Sequence, residues 1–163
     1  MREAIGATWI MGIVIVFIAL FSGYLAFSVN YSKAFKVKDG IVDRIQKHNG
    51  PNQAAIDDIA DLMDEVGYNS TGKCSGFFND NSLSFIGVTR NFVTPSPSDD
   101  DKFNYCIQKV EAINPEGQLS AAYYSVYVFF SLSIPVVNEM SLFNVSGETI
   151  NIYFPEEGDN WFR

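Results

Sequence analysis

The residue types able to do covalent or metal chemistry are few in this chain and widely spread. Cys74 and Cys106 are the only cysteines among 163 residues. An even pair in an acidic, Asn-, Ser- and Thr-rich region is useful as a staple in an oxidising compartment, where it would close a loop of about 30 residues. Two buried free thiols are the alternative, because Cys is often simply buried. His48 is the single histidine, so a Ser-His-Asp or Cys-His constellation would need it to converge with a nucleophile that no motif marks. The sequence contains no Gly-rich phosphate loop, no His-Glu-x-x-His and no Cys-x-x-Cys, which leaves nucleotide, zinc-hydrolase and dithiol readings without an anchor. Asp57, Asp58, Asp61, Asp64 and Glu65 form an acidic helix stripe, and Asp99, Asp100 and Asp101 follow Ser96-Pro97-Ser98 in a turn. Both read as solvated surface, since Ca²⁺ needs oxygen ligands wrapped around it by a loop. No catalytic residue, metal or cofactor is expected.

The charge distribution sets apart the element that must carry the rest. Residues 1–50 hold six basic and three acidic side chains, net +3, whereas residues 51–163 hold five and sixteen, net −11. An overall charge of −8 and a pI near 4.5 repel a phosphate backbone and exclude a nucleic-acid partner. With 47% hydrophobic and 15% aromatic residues, the chain has enough apolar material for one core.

From Ala4 to Ser32 no side chain is charged, and the centre runs Trp9-Ile10-Met11-Gly12-Ile13-Val14-Ile15-Val16-Phe17-Ile18-Ala19-Leu20-Phe21. A bilayer core about 30 Å thick needs roughly 20 such residues in a helix, which makes this a membrane span. A cleaved secretory signal competes, but its apolar region is shorter, about 7 to 15 residues, and Ser22-Gly23-Tyr24 is a poor cleavage site. Lys33, Lys36, Lys38, Arg44 and Lys47 follow the span. By the positive-inside rule they place that side in the cytoplasm; the cysteine pair argues for the opposite side.

The helix does not stop at the membrane. Ala34, Val37, Ile41 and Ile45 recur at spacings of three, four and four and line one face. Gly40 interrupts good helix formers and marks a possible bend. The expectation is one continuous helix of about 45 residues, roughly 65 to 70 Å long, ended by His48-Asn49-Gly50-Pro51. A short amphipathic helix then begins at Pro51 or Asn52, carries Ile56, Ile59, Leu62, Met63 and Val66, and is capped by Gly67. Residues 68–101 read mostly as loop, with one short strand at 83–88, and 103–112 as a strand or a short helix. The last third is β material: a strand over 121–134 that Pro135 ends or bends, then strands at 140–145 and 148–154 joined by a tight turn at Ser146-Gly147. At least three antiparallel strands would cover the apolar face of the long helix. Asn69-Ser70-Thr71 and Asn144-Val145-Ser146 match the glycosylation triplet, which is too frequent by chance to carry weight.

A short polar start with Glu3, an apolar helix running unbroken into an amphipathic one, and a β-containing head with two cysteines together resemble type IV pilin-like proteins. Phe129-Phe130-Ser131-Leu132-Ser133-Ile134-Pro135 followed by Val145-Ser146-Gly147-Glu148-Thr149 looks most like TadE-like pseudopilins, minor subunits of tight-adherence (Tad) pili. The likeness covers residues 3–35 and 124–153, under half of the chain. It implies that Glu3 pairs with a neighbouring subunit's terminal amine in an apolar filament core, where a buried carboxylate requires a partner; the alternative leaves Glu3 at the lipid headgroups. The prepilin pattern is not complete: no basic leader ending in Gly precedes Glu3, and no Glu lies five residues after Gly6. Either the leader lies outside this sequence or the protein is an uncleaved relative.

The combined reading is an α+β fold with pilin-like layout. Residues 1–32 are the transmembrane anchor, and 33–163 are an extracytoplasmic head that includes the amphipathic continuation of the helix. The expected function is non-enzymatic: a single-pass component of a Tad or type IV-like pilus or secretion apparatus, acting in assembly or adhesion. Its partners would be the membrane, other pilin-like subunits and the assembly platform, with homo- or hetero-oligomers formed through the N-terminal helix. Gly6, Gly12 and Gly23 allow close helix approach there. The alternative is a membrane-tethered extracellular binding module outside any filament, and a tethered enzyme is a weaker third.

Overall fold

The computed structural model describes residues 2–74, 85–90, 92–95, 97–98, 100–113, 119–134 and 137–153. Helix α1 runs from Arg2 to Lys47 without a break, 46 residues, or about 69 Å. Gly40 does not bend it. A Cβ there would overlap the Leu62 side chain, so this glycine lets the following helix approach closely.

Two positive φ values end α1, at Asn49 (55°) and Gly50 (141°), and the Gly50 amide donates to the Ile45 carbonyl at 2.9 Å. Helix α2, Gln53–Val66, follows at once. Asn52 serves both helices. Its Oδ1 accepts from the Ala55 amide at 2.9 Å and its Nδ2 donates to the His48 carbonyl at 3.1 Å, so one side chain satisfies an orphan donor of α2 and an orphan acceptor of α1. Gly67 closes α2 in the left-handed conformation, with the Tyr68 amide donating to Met63 O.

The remaining elements are strands: β1 (Phe85–Thr89), β2 (Phe92–Pro95), β3 (Tyr105–Ile113), β4 (Leu119–Ile134), β5 (Val137–Glu148) and β6 (Ile152–Tyr153). They form one antiparallel sheet of order β2-β1-β3-β4-β5, with β6 pairing β4 beyond the end of β5. The segment expected to be strand or helix is β3, and the strand expected at 83–88 is β1; residues 83 and 84 lie outside the described part. Ser146-Gly147 is not a turn. Both lie inside β5, opposite Tyr127 and Val126. Glycine is needed at 147 because the aliphatic stem of Lys38 from α1 lies against it, and a Cβ would collide with that stem. The ladder instead breaks after Glu148, where Thr149 turns back onto Tyr124: its amide donates to Tyr124 O at 3.0 Å and its Oγ1 accepts from the Tyr124 amide at 2.9 Å. The single strand expected over 148–154 is not formed: Glu148 ends β5, residues 149–151 are not strand, and only Ile152–Tyr153 pairs again, as β6, with residue 154 outside the described part.

Alternation along β4 assigns the two faces. Tyr124, Val126, Val128 and Phe130 join the core with Ile86, Val88, Tyr105 and Ile107 from the sheet, Ile56, Ile59 and Met63 from α2, and Ala34, Val37, Ile41 and Ile45 from α1. Those four α1 residues are fully buried. On the opposite face Phe129, Phe103, Cys106 and Cys74 make a second, smaller cluster. The molecule is thus α+β: a helix layer, a sheet, and a short loop strapped to the back of the sheet.

Candidate membrane and assembly surface

The N-terminal part of α1 carries apolar side chains on all sides with nothing packed on them. Trp9 is 73%, Leu20 70% and Tyr24 66% exposed, and the most apolar 18-residue window has a mean hydropathy of 2.5 with none of it buried. Soluble monomers rarely expose more than a few hundred Å² of contiguous apolar surface. This helix is long and apolar enough to cross a membrane. Gly12 and Gly23 have open space within 4 Å of a built Cβ. Glu3 and Gly6 lie in the first turns of α1, and the Glu3 side chain and the surroundings of Gly6 are outside the described residues.

Where the bare helix meets the head, five rings form a collar. Phe27, Tyr31 and Phe35 succeed one another at intervals of four residues, with centroids 6.0 and 6.1 Å apart. Phe130 of β4 meets Phe27 and Tyr31 edge-on at 5.9 Å each, and Phe143 of β5 meets Phe27 at 5.9 Å and stacks on Phe130 at 5.3 Å. Offset and edge-to-face pairs at these distances add about 0.5–1.5 kcal/mol each beyond area burial, so the sheet grips the helix from Phe27 onward. Lys33 and Lys36, on either side of Phe35 in the helix, are exposed. Lys38 is nearly buried, pairs with Asp39 at 2.6 Å and lies 3.9 Å from the centre of the Phe35 ring. An open groove of about 610 Å³ runs beside the collar, lined by Tyr31, Phe35, Lys36, Asp39, Asp43 and Leu62 among others.

At the far end of the head α1 and α2 are clamped by charge. Asp58 accepts from Lys47 Nζ at 3.0 Å and sits 2.9 Å from His48 Nε2, while Arg44 Nε donates to the Asp58 carbonyl at 2.8 Å. The hydrogen bonds from His48 and Lys47 hold the Asp58 carboxyl down at about 2. Burial raises the phenol of Tyr124 to about 12 and pushes that of Tyr105 well above its ordinary range. The other acidic residues of α2, Asp57, Asp61, Asp64 and Glu65, face solvent. Among the described residues no three His, Cys, Asp or Glu side chains gather as a metal site.

Cys74 and Cys106 form a disulfide, with Cα atoms 5.8 Å apart and a sequence separation of 32. Cys106 projects from the face of β3 turned away from α1, so the bond straps the segment after α2 across the back of the sheet. An isolated bridge between Gly72 and Phe103, with both N–H···O bonds at 2.8 Å, fixes the same segment. A Cβ at Gly72 would overlap the buried Phe129 ring. Neither cysteine is a free thiol.

Of the residues singled out from the sequence, the structure brings Ala34, Val37, Ile41 and Ile45 together under the sheet and joins Cys74 to Cys106. The aromatic collar and the His48–Asp58 contact are additions. A four-residue aromatic period just past the span was the readable sign of the helical half of the collar; the pairing of Phe130 with Phe143 depends on the β4–β5 register. Comparison of the chain with family models, with curated proteins and with solved structures finds no match.

Proposed function

We propose that this protein is a non-enzymatic, single-pass membrane protein that presents a disulfide-bonded α+β head outside the cytoplasm, and that it serves as a pilin-like, TadE-like component of a pilus or secretion apparatus. The observation that carries the reading is the undivided helix α1. Its N-terminal half is bare and apolar, while its C-terminal half is the central rib of the head's core. A flexible tether would connect a module to a membrane equally well. A rigid rod, with the head gripping it from Phe27, instead fixes the distance and direction of the head relative to the bilayer, which suits a subunit that must align with neighbours. The disulfide supports an oxidising compartment for the head.

Two experiments test this. A membrane-impermeant protease applied to intact cells is expected to remove the head; protection until lysis would place the head in the cytoplasm and end the proposal. In cells that accept the head outside, Glu3→Gln is expected to abolish co-purification with a differently tagged second copy or with other apolar-helix subunits, while leaving membrane insertion intact. Undiminished co-purification, or none to begin with, would favour a tethered binding module.

A further inference from the structure

We infer that Asn69 is the attachment site of an N-linked oligosaccharide; this rests on the reading above that the head lies outside the cytoplasm. The Asn-x-Ser/Thr triplet occurs three times, at Asn69-Ser70-Thr71, at Asn144-Val145-Ser146 and at Asn30-Tyr31-Ser32, and as a motif none of them outranks the others. The fold separates them. An enzyme that glycosylates a triplet must reach the asparagine amide and the hydroxyl two residues on together, and must close around the backbone between them. Exposed segments outside helices and sheet ladders permit that approach.

Between α2 and the back of the sheet the chain is an extended strap on which burial alternates. Tyr68, Gly72 and Cys74 are buried and Ser70 is half-buried, whereas Asn69, Thr71 and Lys73 are exposed. Residues two apart in an extended chain share a side, so the Asn69 amide and the Thr71 hydroxyl present themselves outward together. The inner side is held at several points. The Tyr68 amide donates to Met63 O at 2.8 Å, the Ser70 carbonyl accepts from Asn104 Nδ2 at 3.0 Å, Gly72 exchanges two backbone bonds with Phe103, and Cys74 is joined to Cys106. Among the described residues no hydrogen bond engages the side chain of Asn69 or of Thr71. The triplet is thus fixed in place by its neighbours while its two reactive groups stay unoccupied.

The other two triplets fail on backbone grounds. Asn144 and Ser146 lie inside β5, opposite Phe129 and Tyr127, and Val145 between them belongs to the core. Closing around that segment would break the β4–β5 ladder. Asn30 and Ser32 lie within α1, where residues two apart point about 200° away from each other. Asn30 is accordingly half-buried and Ser32 exposed, so no single approach meets both.

In the transfer step Asn69 Nδ2 forms a bond to C1 of the reducing-end sugar of a lipid-phosphate-linked oligosaccharide. The bond from C1 to the phosphate oxygen breaks, its electron pair leaves with that oxygen, and one amide proton passes to a base of the transferase. Nothing is oxidised or reduced. A bound glycan is bulky and hydrophilic, so the α2–strap side of the head would stay open to solvent in any assembly.

The test uses the full chain extracted from the membranes of its own cells, reduced and cut with trypsin. Fragments 3–33, 48–73 and 110–163 each hold one triplet, so mass spectrometry reads the three sites separately. Sugar is expected on fragment 48–73 alone. Asn69→Gln and Thr71→Ala, both at exposed positions, should each abolish it, and Thr71→Ser should keep it. Sugar on fragment 3–33 or 110–163, or sugar on 48–73 that survives Thr71→Ala, overturns the assignment. A bare fragment 48–73 from cells whose heads are removed by external protease overturns it too and leaves the orientation standing. A bare fragment from cells whose heads are protected until lysis ends the orientation reading and this inference with it.

Discussion

Replacing Ile41 tests whether the amphipathic half of α1 is the core of the head. Ile41 is fully buried and belongs to the cluster that joins α1 to α2 and to the inner face of the sheet. Ile41→Ala removes three carbons and leaves a cavity whose walls are held by two helices and a sheet, so little collapse is available and the cost is about 2–5 kcal/mol. Ile41→Asp is worse, because its carboxylate would be stranded among apolar side chains. The nearest cations one turn away are already engaged: Lys38 by Asp39, and Arg44 by the Asp58 and Gly40 carbonyls. Removing one partner of a buried pair costs about 3–5 kcal/mol, and an unpaired charge belongs at or above that level. Whole-domain stability is about 5–15 kcal/mol, so the Asp variant should be largely unfolded. The assay is urea titration of the full chain in detergent micelles, followed by near-ultraviolet circular dichroism of the head tyrosines. With a slope of about 1–3 kcal/mol per molar, Ile41→Ala should lower the midpoint by about 1–2 M, and Ile41→Val by a few tenths. If Ile41→Asp unfolds at the wild-type midpoint, position 41 is not in the core and the one-domain architecture is wrong.

Three further outcomes rest on contacts elsewhere in the head. Reducing the disulfide releases a loop of 32 residues, for which the chain-entropy relation gives about 3–4 kcal/mol; reductant or Cys74→Ala/Cys106→Ala should lower the urea midpoint accordingly, and an unchanged midpoint would show that the strap on the back face adds nothing. Gly72→Ala drives a Cβ into the Phe129 ring, which is fully buried and cannot swing out, and should cost about 1–3 kcal/mol as overpacking does; a wild-type midpoint would mean that the loop sits farther from the sheet. The Asp58 carboxyl titrates at about 2 when folded and at about 3.9 when unfolded, so the unfolded state binds the proton first and this contribution to stability is lost as pH falls from about 4 to 2. Asp58→Asn should show a shallower loss than wild type in that window and a lower midpoint at neutral pH; parallel curves would mean that the clamp between α1 and α2 does not operate in solution.

Elements defined by their own residues were legible in the sequence. The length of α1 follows from a pattern without proline, and the bounds of α2 from Asn52 and Gly67, whose side chain and backbone respectively supply the caps. The apolar stripe at 34, 37, 41 and 45 was readable because a helix lying under a sheet needs only one such face. What depends on contacts between distant segments was not legible. Glycine at 147 reads locally as a turn beside Ser146, and only the arrival of Lys38 from a helix more than a hundred residues earlier explains it as a point of close approach. Gly40 reads as a bend for the same reason, yet its role is to admit Leu62. The second cluster, on the back of the sheet, depends on β3 exposing Cys106 opposite the core side, a choice of face that a short segment flanked by loops does not announce.

The basic residues after the span gain a different meaning from the folded head. Counted as sequence, Lys33, Lys36, Lys38, Arg44 and Lys47 favour a cytoplasmic side. In the structure Lys38 covers Gly147 and pairs with Asp39, while Arg44 and Lys47 hold α2 to α1 through Asp58. Three of the five thus have a structural reason to be basic whichever side the head occupies, and only Lys33 and Lys36 remain as free surface charge among them. Selection for the α1–α2 clamp would place cations in this stretch without reference to topology. A disulfide is different, because it persists only where thiols are not kept reduced, and here it fastens the segment ending at Cys74 onto the Phe103–Phe129 patch on the back of the sheet. Neutralising Lys33 and Lys36 together, by K33Q/K36Q, should therefore leave head stability unchanged and should not change the outcome of the protease assay on whole cells; a reversed outcome would show that these two lysines set the orientation. Lys38→Gln, Arg44→Gln or Lys47→Gln should lower the urea midpoint first, since each removes a contact within the head.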